Sequence, residues 1–331
     1  MDEKEIKQIF EKFSSMRAIV IGDAMVDTYL WGNVERISPE APIPVISVNK
    51  RESRLGGAAN VALNLLALGA KPIMFSVVGC DLNGAEFKKL VAEKKLPGYG
   101  IFEDMNRPTT VKSRIIGKGQ HIARVDEETT QPINSDLERK LIKKVLKEIE
   151  NNDVDVIILV DYDKGVITPN LFESVNNLAQ KKGIPVAADP KKRNFFLYKN
   201  VQLFKPNFYE FLDGTGVQLK KGDLDGLSKA VAAFKIRQNL KLIFITLSEL
   251  GVFISNGIKE QYFPAIIREI ADVSGAGDTV LSVASLALAA GLTPQRMALM
   301  ANLAGGLVCE SPGVVPVEKK SLMKMMKLEK I

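Results

Sequence analysis

Short apolar runs alternate along the chain with longer segments whose apolar residues recur at the helical period. The runs that predict buried strands are 17–22, 72–79, 155–161, 185–189, 201–207 and 241–247. The segments that predict helices are 56–69, 83–95, 135–150, 168–182, 222–238, 277–290 and 294–310. Strands that are apolar on both sides need cover on both faces, which parallel sheets receive from the helices between their strands. The pattern therefore predicts an α/β fold, with a mostly parallel sheet and helices on both of its faces.

Residues 33–55 and 109–126 interrupt this alternation. The first stretch is punctuated by proline and alternates apolar and polar residues at PVISV (44–48), and the second alternates through most of its length. Alternation of this kind predicts strands with one exposed face, so we expect a small β lid over the mouth of the main domain. No linker or internal repeat is visible, and residues 1–331 are expected to form one domain with this lid. Exposed lid strands invite pairing, so we expect a homodimer joined through the lids.

Composition narrows the classes of function. The 331 residues are 46% hydrophobic with a net charge of +6, and the lysines are interleaved with acids along amphipathic helices. A nucleic-acid partner is therefore not expected. No apolar run approaches the ~18 residues of a membrane span, and the charged N-terminus is unlike a secretory signal. Cys80 and Cys309 lie far apart and His121 is the only histidine, which disfavours a zinc site or a Ser-His-Asp triad. The cytoplasm is the expected compartment.

Polar residues follow several of the predicted strands. They are Asp23, Asp27, Asp161, Lys164, Asp189, Lys191, Asn207, Glu210, Thr246 and Glu249. In open α/β sheets, ligands bind at the carboxyl ends of the strands. Each of these residues alone could simply cap the helix that follows. Five such strand ends in one chain favour a shared site for an anion and a metal ion.

The stretch DVSGAGDTV (272–280) carries the most specific chemistry. Its turn of small residues, 274–277, leads into an apolar helix. Small residues leave successive N–H groups unobstructed, and the helix dipole adds positive potential, which together suit a phosphate. Asp278 in the first helical turn could then accept a proton from a hydroxyl beside that phosphate. The alternative is that Asp272 or Ser274 caps the helix and the glycines ease packing. Capping needs one residue only, so we favour the phosphate site.

The motif content then narrows the kind of phosphate site. Neither GxxxxGK[ST] nor GxGxxG occurs, which argues against a P-loop and a Rossmann dinucleotide site. Together, GGAAN (56–60) and DVSGAGD (272–278) resemble the two signature regions of the ribokinase-like (PfkB) carbohydrate kinases. Within that family, the chain is similar to the heptose 7-phosphate kinase branch. The segments that carry this similarity are GDAMVDTYLWGNVERISPEAPIPVISV, LGGAANVALNLLALGA, DYDKG, DPK, PN-x-x-E-F, TLSELG and DVSGAGDTV.

This resemblance implies an activity. Members of that branch transfer phosphate from ATP to the anomeric hydroxyl of D-glycero-D-manno-heptose 7-phosphate, giving the 1,7-bisphosphate for ADP-heptose and lipopolysaccharide synthesis. Many relatives carry a C-terminal nucleotidyltransferase domain; this sequence ends at Ile331, so we expect a separate protein to perform that step. A kinase for another sugar phosphate, such as fructose 6-phosphate, or for a nucleoside is the first alternative. A regulator that binds sugar or nucleotide without catalysis is the second, and the presence of Asp278 argues against it.

The resemblance also implies roles around the transferred phosphate. Asp278 would be the base, and the backbone of Gly275, Ala276 and Gly277 would form the anion hole. Asn207 and Glu210 would help to hold Mg²⁺, largely through water. The residues implied beside ATP are Thr246, Ser248, Gly251 and Asn302. In some relatives a monovalent cation binds near the positions of Asp272 and SPGVV (311–315).

On the sugar side, the resemblance assigns Asp23 and Asp27 to the hydroxyls, at the end of the first strand. Gly56 and Gly57 would allow a close approach to the backbone and Asn60 would contribute its amide, although tight helix–strand packing also explains these glycines. Cations from the lid and its surroundings are candidates for the substrate's own phosphate. These are Lys112, Arg114, Arg124, Lys164 and Arg36, each of which could instead be a solvated surface residue. Val273 and Ser274 depart from the threonine more common in the family.

Overall fold

The computed structural model describes residues 2–117, 120–266 and 269–329. The helices are α1 (Glu3–Ser15), α2 (Ala58–Ala67), α3 (Leu82–Glu93), α4 (Ser135–Asn151), α5 (Pro169–Lys182), α6 (Phe208–Thr215), α7 (Leu224–Gln238), α8 (Ala276–Ala289), α9 (Pro294–Val308) and α10 (Lys319–Leu328). The strands are β1 (Arg17–Gly22), β2 (Ala24–Ile37), β3 (Pro44–Gly57), β4 (Lys71–Gly79), β5 (Ile101–Asp104), β6 (Val111–Gly117), β7 (Gln120–Glu127), β8 (Val156–Val160), β9 (Val186–Asp189), β10 (Leu203–Phe204), β11 (Leu242–Thr246), β12 (Val252–Ser255) and β13 (Glu260–Phe263).

The main sheet has nine strands within the described residues, in the order β13-β12-β11-β10-β9-β8-β1-β4-β5. Neighbouring strands from β11 through to β5 pair in parallel, and β12 and β13 add an antiparallel edge. The predicted α/β fold with a mostly parallel sheet is confirmed. Because the central strands run in one direction, their carboxyl ends meet along a single edge.

Both faces of this sheet are buried, as the continuous apolar runs predict. In β1, Ala18 and Val20 pack with α1–α3 and α8–α10, whereas Ile19 and Ile21 pack with α4–α7. Successive residues of a strand point to opposite faces, so one apolar run supplies two cores. Among the described helices, none has the length and apolar character that crossing a bilayer would require.

A second sheet of four strands, ordered β3-β2-β6-β7, forms the lid among the described residues. Both predicted lid segments contribute strands to it, and Lys118 and Gly119 of the second segment lie outside the described residues. The lid begins earlier than predicted, since β2 starts at Ala24, directly after Asp23. Asp27 is therefore a lid residue and not, as predicted, part of the end of β1.

Several short elements escaped the sequence prediction. They are α6, α10, β5, β12 and β13. The predicted strand 201–207 shrinks to Leu203–Phe204. Pro206 lacks a backbone N–H, and Asn207 begins α6 as its N-cap. A sequence pattern for α6 was present, because N-x-x-E is also the signature of a capping box.

Candidate active site

The strand-end residues lie along one edge of the main sheet. Asp23 follows β1, Asp161 follows β8, and Asp189 ends β9 in the next place along the sheet. Asn207 follows β10 and forms an isolated parallel bridge with Thr246 at the end of β11. Five neighbouring strands thus present polar groups to one crevice, beneath the start of α8.

Asp278 is buried in the first turn of α8, with 3% of its surface exposed. Its Oδ2 accepts a hydrogen bond from Asn60 Nδ2 at 2.8 Å, and its Oδ1 accepts one from the hydroxyl of Tyr162, also at 2.8 Å. Burial raises the pKa of the Asp278 carboxyl to about 6, even though both hydrogen bonds favour the charged form. A carboxyl with a pKa of about 6 is ionised at neutral pH and still basic enough to take a proton.

The turn before α8 has the predicted small-residue geometry. Gly275 is the N-cap residue in the left-handed conformation, with φ of +82°, and no side chain in the described part of the chain caps this helix. The alternative interpretation, in which the side chain of Asp272 or Ser274 caps α8, therefore does not hold. Asp272 instead accepts from the Ser274 N–H at 2.9 Å and so braces the turn. One of the three predicted phosphate donors is already engaged, because the Ala276 N–H donates to the Val273 carbonyl at 3.3 Å.

The GGAAN segment packs tightly and also reaches the base. A Cβ on Gly56 would lie 2.0 Å from Asp27 Oδ2, and one on Gly57 would lie 2.3 Å from the Asp23 carbonyl oxygen. Both glycines are therefore required by packing in this structure. Asn60 is fully buried, and its Oδ1 accepts from Asn64 Nδ2 at 3.3 Å, which directs the Asn60 Nδ2 toward Asp278.

Asp23 and Asp27 are both buried and both already have partners. The Asp23 carboxylate accepts the backbone N–H groups of Tyr162, Lys164 and Val166 at 2.8 to 3.0 Å, so it anchors the loop after β8. Asp27 forms an ion pair with Arg114 from the neighbouring lid strand β6. Burial raises the pKa of the Asp27 carboxyl despite this pair. Their assignment to sugar hydroxyls stays a prediction.

The candidate cations for a substrate phosphate separate into different environments. Lys112 and Lys164 both bind Glu128, at 3.1 and 2.8 Å, with 14% and 12% of their side chains exposed. These two lysines therefore meet where the lid faces the main domain. Arg124 pairs with Asp126 of its own strand, which Lys112 also contacts at 3.1 Å, but the Arg124 side chain is 58% exposed. Arg114 is committed to Asp27 and Arg36 is solvent-exposed.

Asn207 and Glu210, the predicted magnesium residues, form the capping box of α6. The Glu210 N–H donates to Asn207 Oδ1 at 2.9 Å, and Glu210 Oε2 accepts from the Asn207 N–H at 2.8 Å. The other Glu210 oxygen pairs with Lys191. The capping interpretation is thus realised, and both Glu210 oxygens are engaged, one by Asn207 and the other by Lys191. The assignment to magnesium remains untested by these contacts.

A second carboxylate lies beside it. Asp189 Oδ2 accepts from Lys205 Nζ at 3.0 Å, and in the described part of the chain Asp189 Oδ1 has no hydrogen-bond partner. Burial raises the pKa of the Asp189 carboxyl to about 6, opposed mainly by Lys205. A Cβ on Gly277 would lie 3.9 Å from Lys205 Nζ, so this ammonium faces the turn that precedes α8.

The predicted nucleotide residues lie at the end of β11, in the turn that follows it, and on α9. Thr246 ends β11, Ser248 opens a 3₁₀ turn, and Gly251 closes that turn with φ of +99°. Asn302 on α9 donates to the Pro264 carbonyl at 2.9 Å and ties the helix to the segment after β13. Their assignment to ATP stays a prediction.

Sequence reasoning missed three residues of this site. Tyr162 belongs to DYDKG but received no role, although its hydroxyl reaches Asp278. Lys205 lies inside an apolar run of the sequence. Its position directly before Pro206 and Asn207 was the signal from which it could have been predicted as a site residue. Asn64 lies four residues after Asn60 on α2, a spacing that places both on one helix face.

A profile described as pfkB family carbohydrate kinase matches residues 16–320. The chain belongs to the pfkB family of carbohydrate kinases. The resemblance read from GGAAN and DVSGAGD is therefore confirmed, and this pfkB protein is a sugar kinase.

Curated relatives of this pfkB kinase include two named bifunctional protein HldE. The protein from Citrifermentans bemidjiense is 38% identical over 98% of this chain and 66% of its own length. The one from Geotalea uraniireducens is 39% identical over 96% of this chain and 64% of its own length. The chain thus spans about two thirds of these relatives.

Solved structures share the ribokinase-like fold with this pfkB kinase. Phosphofructokinase-2 from Escherichia coli in complex with potassium has a TM-score of 0.79 at 17% identity, over 96% of this chain and 99% of that one. Arabidopsis thaliana ribokinase complexed with ribose and ATP has a TM-score of 0.72 at 20% identity, over 95% of this chain and 99% of that one. These likenesses establish the fold.

Proposed function

We propose that this kinase transfers the γ-phosphoryl group of ATP to the anomeric hydroxyl of D-glycero-D-manno-heptose 7-phosphate. The observation that carries the phosphoryl-transfer chemistry is the buried carboxylate of Asp278 at the start of α8, held by Asn60 and Tyr162. The acceptor is supported by the heptose-branch similarity of DYDKG and DVSGAGDTV, and by the 38% identity to a bifunctional protein HldE.

Asp278 would accept the proton of the attacking hydroxyl as the oxygen bonds to phosphorus. The first-turn N–H groups of a helix lack carbonyl partners one turn earlier, so Gly277 and Asp278 offer donors to the transferred group. Lys205 adds a positive charge opposite Gly277. Phosphoryl transfer depends mainly on such positioning and charge neutralisation. Lid closure would exclude water and suppress ATP hydrolysis.

Mg²⁺ fits the carboxylates beside this turn. The free oxygen of Asp189 is buried and without a partner among the described residues, and Glu210 lies near enough to raise the Asp189 pKa. Mg²⁺ is commonly held by one or two carboxylates together with waters and substrate phosphates. Asp189, Asn207 and Glu210 would hold the ion, which would neutralise charge on the ATP phosphates. A monovalent cation is proposed near Asp272, where the Gly313 N–H donates to Asp272 Oδ2 at 3.0 Å.

Lys112 and Lys164 are proposed to bind the phosphate that the sugar already carries. Glu128 accepts from both lysines in this structure, and an incoming phosphate would take its place. We expect Lys112→Met and Lys164→Met each to raise KM for the sugar phosphate by about 10-fold or more, because each removes a charge-assisted hydrogen bond. Steady-state kinetics with varied sugar phosphate measure this effect.

Lys88→Met is the matched control for those two variants. Lys88 also pairs with a glutamate, Glu103, at 2.6 Å, but on the outer surface of α3. Its KM values should equal those of the wild type. If both lid lysine variants kept the wild-type KM, the phosphate site would lie elsewhere.

We also propose an oligomeric state, a cellular compartment and a downstream enzyme. The lid exposes Ile37, Val48 and Val125, at 50% or more of their surfaces, which supports a homodimer through the lids. Cys80 and Cys309 are both free thiols, which suits the cytoplasm. A nucleotidyltransferase would act on the product, as a separate protein or as a further domain.

An ADP-release assay with ATP and Mg²⁺ tests the proposed function. It would compare D-glycero-D-manno-heptose 7-phosphate, fructose 6-phosphate, ribose and adenosine as acceptors. A kcat/KM highest for the heptose phosphate by at least ~100-fold supports the proposal. Preference for another acceptor contradicts the heptose assignment and leaves the kinase chemistry standing. ATP binding without turnover of any acceptor would favour a binding protein.

The pH dependence of kcat follows from Asp278. The carboxyl must be ionised to accept a proton, and burial raises its pKa to about 6. We therefore expect kcat to be constant near neutral pH and to fall as the pH decreases through about 6, approaching tenfold per pH unit below it. A pH–rate profile with saturating substrates measures this limb. A rate that stays constant down to pH 4.5 would be incompatible with this base.

A further inference from the structure

Tyr162 lies beside the proposed base, Asp278, but the proposed function gives it no role. It is the first residue after Asp161, at the carboxyl end of β8, and it follows the strand into the crevice. Its backbone N–H donates to Asp23 Oδ2 at 2.8 Å, and its hydroxyl donates to Asp278 Oδ1 at 2.8 Å. Tyr162 thus connects Asp23, which is assigned to the sugar hydroxyls, with the proposed base.

We propose that Tyr162 is a positioning residue that fixes the orientation of the Asp278 carboxylate for proton transfer. This inference rests on the proposed role of Asp278 as the base. Asn60 holds one carboxylate oxygen and Tyr162 the other, so the carboxylate plane has a donor on each side. With either donor removed, rotation about the Cβ–Cγ bond becomes easier, and fewer conformers direct a lone pair toward the acceptor hydroxyl.

The contact is chemically suited to this role. The pKa of the Tyr162 hydroxyl lies well above its ordinary value because of burial and the nearby Asp278 carboxylate. The phenol therefore stays protonated and remains a donor throughout the working pH range. Its hydrogen bond favours the ionised form of Asp278 and offsets part of the opposing effect of burial.

The ring of Tyr162 supports a second group at the same time. Lys191 Nζ lies 5.2 Å from the ring centroid, within the range of a cation–π contact, and the same ammonium pairs with Glu210. Deleting only the hydroxyl leaves this contact in place. Tyr162→Phe therefore separates the hydrogen bond to the base from the packing of the lysine beside the proposed magnesium residues.

The charged groups that face Asp278 are Asp189, Lys205 and Lys191, from β9 and from the segments that follow β9 and β10. Asn60 faces it from α2 and is neutral. None of these groups is altered by Tyr162→Phe. A change in the pH profile of that variant therefore reports on the lost hydrogen bond.

The experiment compares Tyr162→Phe with the wild type, using the acceptor that the wild type turns over. We expect kcat to fall by roughly 10-fold to 100-fold, as for loss of a hydrogen bond to a charged group, with KM for ATP within about twofold. The acid limb of the pH–kcat profile should move upward by about one pH unit. A residue with only a structural role would change thermal stability and leave the acid limb in place.

Tyr198→Phe is the matched control. Tyr198 is fully buried and donates its hydroxyl to a different buried carboxylate, Asp161 Oδ2, at 2.5 Å. Its kcat and acid limb should equal those of the wild type even where stability falls. If Tyr162→Phe behaves like Tyr198→Phe while Asp278→Asn abolishes turnover, the Tyr162 inference is wrong and the proposed base stands. If Asp278→Asn retains turnover, the proposed function itself fails.

Discussion

Replacing Asp278 by asparagine is expected to lower kcat by about 10²–10⁴-fold, the usual contribution of a general base. Asparagine has nearly the shape of aspartate, and its carbonyl oxygen can still accept from Asn60 while its amide donates to the Tyr162 oxygen. The helix start and the anion-binding turn therefore stay in place. ATP affinity should change little, because the carboxylate acts on the acceptor hydroxyl. Steady-state kinetics and calorimetric titration with ATP measure the two effects.

Asp225→Asn provides the control for that substitution. Asp225 is also an acid in the first turn of a helix, α7, but it is exposed to solvent, whereas Asp278 is buried. Its kcat should be unchanged. An Asp278→Asn enzyme that turned over within a few-fold of the wild type would show that another group takes the proton.

Substituting Gly275 by alanine should lower kcat on the order of 10²-fold, comparable with the loss of an oxyanion-hole donor. Two costs coincide at this position. The left-handed backbone, at φ of +82°, disfavours any residue with a Cβ by roughly 1–2 kcal/mol. The added Cβ would also lie 2.8 Å from Asn60 Nδ2, which must shift away from Asp278. The turn and the orientation of the base are then disturbed together.

Gly291→Ala introduces the backbone strain without the close contact to Asn60. Gly291 follows the end of the same helix with a similar φ of +74°, and a Cβ there would meet no atom of the described residues within 4 Å. It should lose about as much stability as Gly275→Ala through backbone strain and keep its kcat. Thermal unfolding and kinetics on both variants test this. Equal kcat values for the two would mean that Gly275 serves the fold and not the reaction.

The fold class could be predicted from the sequence because the pattern that indicates it is local. The alternation of apolar runs and helical segments depends on the periods of strand and helix, which each stretch displays by itself. Small residues before an apolar helix likewise predicted the start of α8, and the assignment of this turn to a phosphate stays a prediction. Short elements such as α6 and β12 lacked enough residues to display a period, and α6 was anticipated only through the capping alternative for Asn207.

Which groups meet was decided by the tertiary structure. Asn60 and Tyr162 lie 218 and 116 residues before Asp278, and they reach it only because α2, β8 and α8 meet over the same strand ends. Strand order brings Asp189 next to Lys205, and lid register puts Asp27 beside Lys112 in the neighbouring strand. The tertiary structure also brings Lys112 and Lys164 to the same Glu128 carboxylate and leaves Arg124 largely exposed to solvent. Local periodicity is a property of the backbone, whereas strand order and register arise from packing between distant segments, so the sequence pattern predicts the elements and the folded chain selects the partners.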